Sequence, residues 1–138
     1  MATQTDKEKE AAEAARKEAE RKQRIRNEIS KYQGKINDAK PVKADLESDK
    51  RTLDGYIQTF EGEQKKLSGK YLDVKKTDVF EGEMANNLAT KISAVEQAIS
   101  KGIGYAKKLS AELKTQIDEL DSKIGYWEGQ ISSLRSQL

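Results

Sequence analysis

The side chains with the right chemistry for acid–base work are the carboxylates of Asp45, Glu47, Asp49, Asp54 and Glu61. A catalytic acid and base must converge on one site with pKa values held apart by their surroundings. These five are instead strung along a helical pattern whose apolar stripe runs elsewhere, the arrangement of a solvated charged face. The chain has neither His nor Cys. That excludes the commonest general base, thiolate nucleophiles, disulfides and the usual zinc ligand sets. Gly102-Ile103-Gly104 is not a phosphate loop, because it lies inside a helical pattern with no strand before it. No catalytic residue, cofactor or metal site is expected, and the chain reads as a non-enzyme.

Stepping from side chains to elements, charged residues make up 36% of the chain and hydrophobic ones 35%, with a mean hydropathy of −0.91. This composition cannot fill a thick core, yet the apolar residues are too regularly spaced for disorder. Pro41 is the only proline, which argues against sandwiches and barrels with their many turns. The 26 basic and 24 acidic residues are interleaved rather than segregated, so nucleic acid is not an expected partner. No stretch is apolar enough for a signal peptide or a membrane-spanning helix.

The second half carries the clearest pattern. Apolar residues recur at Leu88, Ile92, Val95, Ile99, Ile103, Ala106, Leu109, Leu113, Ile117, Leu120, Ile124, Trp127, Ile131, Leu134 and Leu138. Their mean spacing of about 3.6 residues lies between the coiled-coil and straight-helix periods. One helix over about 80–137 is the reading, with Gly102, Gly104, Gly125 and Gly129 marking bends or close approaches of a partner. The first half repeats the theme with Ile25, Ile29, Tyr32, Ile36 and Ala39, then Leu46, Leu53, Phe60 and Leu67 at sevens. Pro41 either kinks this helix or opens a new one capped by Asp38, and the kinked single helix over about 21–75 is preferred. Residues 1–20 lack large aliphatics after Met1 and form a frayed or Ala/Glu/Lys-rich helical extension.

Between the halves, residues 76–82 form the corner. Thr77 or Asp78 can cap the second helix, and Asp78 with Glu81 resembles a capping box. The expected fold is therefore all-α: a long antiparallel two-helix hairpin, coiled-coil-like, in a single domain over residues 21–138. A turn centred there sets Leu67, Tyr71 and Val74 against Met84, Leu88 and Ile92, and Ile25 opposite the neighbourhood of Gly129 and Leu134.

One hairpin cannot bury both flanks of so wide a stripe, so part of it is left for a partner. The seam and partner-binding residues are Leu46, Leu53, Phe60 and Leu67 of the first helix. From the second come Ile92, Val95, Ile99, Leu109, Leu113, Ile117, Leu120, Ile124, Trp127 and Ile131. The most specific local feature is Phe80-Glu81-Gly82-Glu83-Met84-Ala85-Asn86-Asn87-Leu88, an aromatic-x-Gly-x-x-Ala-x-x-apolar run at the corner. An ordinary capped helix start would account for the same residues.

With Phe80, Gly82, Ala85 and Leu88 in these places, the chain resembles the WXG superfamily of bacterial type VII secretion, helical hairpins with Trp-x-Gly at the corner. Its longer helices are similar to the small helical proteins encoded beside LXG-domain toxins in Gram-positive bacteria. The likeness covers most of the chain by layout, though its motif is short. It implies a non-enzymatic adaptor or targeting chaperone that binds the helical LXG domain of a toxin through its apolar face. It also implies a bacterial cytoplasmic location or co-export with the effector, and leaves room for a second small helical partner. Phe80 stands where the family has Trp, and the family's Tyr-x-x-x-Asp/Glu export signal is absent, so a partner is expected to carry or complete it. Trp127-Glu128-Gly129 lies inside the second helix and reads as core packing. A homodimeric or filamentous coiled coil without a secretion role is the alternative.

Overall fold

The computed structural model describes residues 4–76 and 82–138, with the side chains of residues 71–76 and 85 left aside. Two helices account for nearly all of it: α1, Gln4–Lys76, and α2, Glu83–Ser136. They pack against each other as an antiparallel hairpin, and no strand occurs among the described residues. Among those residues no helix is long and apolar enough to cross a membrane. α1 begins at Gln4, well before the expected boundary near residue 21, and runs through Pro41 without a break. Asp38 is therefore an interior helical residue rather than a cap. Pro41 itself is exposed, so water can serve the carbonyl one turn earlier that a proline leaves without a donor.

By packing, the hairpin falls into two compact units: Met1–Ala44 with Asp118–Leu138, and Asp45–Ile117. In the first, Ile36, Ala39, Ile124 and Ile131 form the buried cluster, with Ile29, Tyr32, Leu120 and Trp127 packed against it. These residues recur at steps of three and four on both helices, so each helix turns one stripe inward. Each buried isoleucine contributes about 1.5–3 kcal/mol of transfer free energy. The Lys35 ammonium sits 5.8 Å from the Tyr32 ring centroid and 5.9 Å from that of Trp127, so its stem covers the cluster while its charge faces the rings. Trp127 thus belongs to the packing of this unit.

The first unit is tied at its end by Arg21. Its guanidinium grips Glu18 through two hydrogen bonds, 2.7 and 3.0 Å, and donates a third, 3.1 Å, to the carbonyl of Gln137. A cation at that carbonyl suits the negative end of the α2 dipole. Residues 4–20 are exposed throughout. Their helix is held by surface pairs at i,i+3 and i,i+4, among them Arg16 with Glu13 and Glu20, and Lys17 with Glu13, each worth a few tenths of a kcal/mol.

The second unit has a thinner apolar seam, with Ile57, Ile103 and Ile117 buried. One edge of that seam is polar. Ser110, itself buried, donates to Asp54 at 2.5 Å; Lys107 pairs with Glu61 at 2.8 Å; Gln64 bonds Ser100; and Ser68 donates to Glu96 at 2.5 Å. These rungs fix the antiparallel register, because a slip by one turn would part all of them at once. Asp54 and Glu61, expected on a solvated face, are instead cross-helix partners. Their stripe position hid this, since Ser110 lies 56 residues from Asp54 in sequence.

The Lys50 ammonium, 2.7 Å from Asp54, and next the Ser110 hydroxyl hold the Asp54 carboxyl below its ordinary value of 3.8. A depressed native pKa adds stability that is complete above the unfolded value and is lost as pH falls through the folded one. The melting temperature of the wild type is expected to lose this increment only below about pH 4. Asp54→Asn should melt lower at neutral pH and show a shallower acid dependence. Parallel acid limbs for the two proteins, followed by circular dichroism, would contradict this.

Candidate partner-binding groove

Residues that hold the polar edge leave the opposite edge of the second unit apolar. On α1, positions 50, 54, 61, 64 and 68 carry Lys, Asp, Glu, Gln and Ser, whereas 53, 57, 60 and 67 carry Leu, Ile, Phe and Leu. With 3.6 residues per turn these two sets lie on adjacent stripes. The seam is therefore closed by hydrogen bonds on one flank and is open hydrocarbon on the other.

That open flank is a groove of 640 Å³. Leu53, Tyr56 and Phe60 of α1 form one bank, and Val95, Gly102 and Ala106 of α2 form the other. Buried Ile57 and Ile103 make the floor. Tyr56 is 60% exposed, Phe60 53%, and Val95 and Leu109 49% each, unusually high for large apolar side chains gathered on one face. A Cβ added to Gly102 meets nothing within 4 Å, so the α2 bank has open space at that point. An α-helix is about 10 Å across, and the small residues Gly102 and Ala106 on the α2 bank would let a visiting backbone come close there.

The expected seam residues separate by burial. Ile117, Ile124 and Ile131 are buried, and Leu46, Leu53, Leu67, Ile92, Ile99, Leu113, Leu120 and Trp127 are half-buried. Phe60, Val95 and Leu109 are exposed and belong to the free flank. Tyr56, which is not one of the heptad-spaced residues Leu46, Leu53, Phe60 and Leu67, is also a groove residue. Its signal was its place one turn before Phe60 on the same stripe.

At the corner, Phe80 lies outside the described residues, as do Thr77, Asp78 and Glu81, and the side chain of Ala85 is likewise not described. Gly82 has φ of +73°, a left-handed conformation that glycine adopts without a Cβ penalty. Its carbonyl accepts the amide of Asn86 at 3.2 Å, the first helical bond of α2. Leu88 and Ile92 are half-buried and Met84 is 67% exposed; the side chains of Tyr71 and Val74, expected opposite this stretch, lie outside those described. Being at the start of α2, Met84 has only one turn of helix to hold it against a neighbour.

Among the described residues no cluster of three or more Asp and Glu could hold a metal ion. No family model matches the chain, nor does any curated protein or solved structure.

Proposed function

We propose that the protein is a non-enzymatic adaptor that binds a helix of another chain along the apolar flank of its second unit. The observation that carries this reading is the groove itself, where exposed Tyr56, Phe60 and Val95 stand over buried Ile57 and Ile103. Exposed hydrocarbon of this kind is costly to keep in water and is a usual mark of a binding surface. The groove offers hydrocarbon and no row of unpaired backbone amides, which suits an amphipathic helix rather than an added strand.

The aromatic-x-Gly corner and the two long helices favour one class of partner: the helical LXG domain of a type VII secretion effector, with this protein acting as its targeting chaperone. The left-handed Gly82 supports the corner half of that resemblance. Action in the bacterial cytoplasm, with or without co-export, follows from the same reading. The test is co-expression with the N-terminal domain of the toxin encoded beside it. A stable complex surviving chromatography is expected; two soluble proteins that never co-purify would sink the assignment.

A further inference from the structure

We infer that, in the absence of any other partner, the groove of the second unit is covered by the same groove of a second copy, with α1 of each copy lying along α2 of the other. The chain exposes 10447 Å², whereas a compact monomer of 15.5 kDa exposes roughly 7,200 Å². The excess, roughly 3,000 Å², is shared between residues 4–20, exposed throughout, and the open groove; a specific pairing needs only about 1,000 Å² of it.

Register points to the same occupant. The rungs Asp54–Ser110 and Ser68–Glu96 set which residues of α1 and α2 stand level. Between them Phe60 comes level with Gly102 and Ala106, Leu67 with Val95, and Leu53 with Leu109. A two-fold axis running along the helices of this unit keeps those levels when a second copy is laid face to face. It then brings each α1 beside the other copy's α2, antiparallel to it. Phe60 of one copy enters the open space at Gly102 of the other, Tyr56 lies over Ala106, and leucines meet leucine or valine on either side. Every rung is apolar, and large residues on α1 meet small ones on α2 at the centre. A two-fold axis across the helices would instead set Phe60 and Tyr56 against the other copy's aromatics, and Gly102 against Gly102, leaving a void. Seven side chains per copy at roughly 75 Å² each bury about 1,050 Å² in total, close to the smallest area of a specific interface. The pairing is isologous and closes at two copies.

This inference does not rest on the secretion reading, because it concerns the protein alone; a foreign helix in the groove and the second copy exclude each other. Light scattering on the purified full chain between about 5 and 200 μM should give twice the monomer mass, a range chosen for an interface of modest area. The chain has no cysteine, so single cysteines report contacts cleanly. Phe60→Cys protein mixed with Gly102→Cys protein should form a disulfide-linked pair on mild oxidation, and Phe60→Cys alone should not. Gly102→Leu should weaken association at least tenfold while the melting temperature of the dissociated chain does not fall, since the added side chain enters open space. A monomer throughout that concentration range, self-linking of Phe60→Cys in preference to the mixed pair, or an undiminished Gly102→Leu dimer would each overturn the proposal.

Discussion

Replacing Ile36 by Asp is expected to abolish the folded first unit at 25 °C. Ile36 is 2% exposed at the centre of the cluster formed with Ala39, Ile124 and Ile131. Removing a buried isoleucine costs about 2–5 kcal/mol through lost transfer and the cavity left behind. A carboxylate placed among that hydrocarbon adds a further desolvation cost, which Lys40 and Arg135 along the same cleft offset only in part. The sum is comparable to the whole stability of a small domain. Ile36→Val, which deletes one methylene, should cost only about 0.5–1.5 kcal/mol. Thermal melts by circular dichroism distinguish the two, with exposed Asn37→Asp as the control expected to stay within about 0.5 kcal/mol of wild type. An Ile36→Asp protein melting with the control would show that the cluster is not what holds this unit.

The second large effect is on binding rather than folding. Phe60 is 53% exposed on the groove bank, so Phe60→Asp should leave the melt within about 1 kcal/mol of wild type. The same substitution places a charge where a partner helix must bury hydrocarbon. A central aromatic at an interface commonly accounts for 2–4 kcal/mol, so affinity for the proposed LXG-domain partner should fall by about thirty- to a thousand-fold. Titration calorimetry reads this directly. A loss of binding accompanied by a collapsed melt would assign Phe60 to the fold instead, and unchanged affinity would remove the groove from the interface.

Fold class was legible in the residues themselves. The three-and-four spacing from Leu88 to Leu138 admits only a helix, and Ile103, Ile117, Ile124 and Ile131 of that stripe are buried. The pattern did not tell which stripe members face the neighbouring helix and which face outward. Val95 and Leu109 obey the same period as Ile103 yet stand half-exposed, because the stripe is wider than the contact one helix can make. Nor did it reveal the polar edge. Asp54 and Glu61 have ordinary helical-surface spacing, and only the register shows Ser110 and Lys107 opposite them. The extension over residues 4–20 is helical without any apolar stripe, its order resting on local charge pairs and alanine rather than on packing.

These points separate two demands on one sequence. Hydrogen-bonded rungs along one flank of the second unit set register with little hydrocarbon, which frees Leu53, Tyr56 and Phe60 for the other flank. In the first unit Ile29, Tyr32, Leu120 and Trp127 pack around Ile36, Ala39, Ile124 and Ile131, with Lys35 beside the Tyr32 and Trp127 rings. The proposed partner-binding role draws on the apolar flank of the second unit.

The most direct measurement is cysteine protection. With Val95→Cys on the groove bank and Tyr126→Cys on the exposed surface of the first unit, maleimide labelling is timed at a concentration where the chain is monomeric, with and without the proposed LXG-domain partner in saturating excess. Slowing of at least tenfold at position 95, with position 126 unchanged, is the expected result. Equal labelling rates at both positions in the presence of that domain would contradict the groove as its binding site.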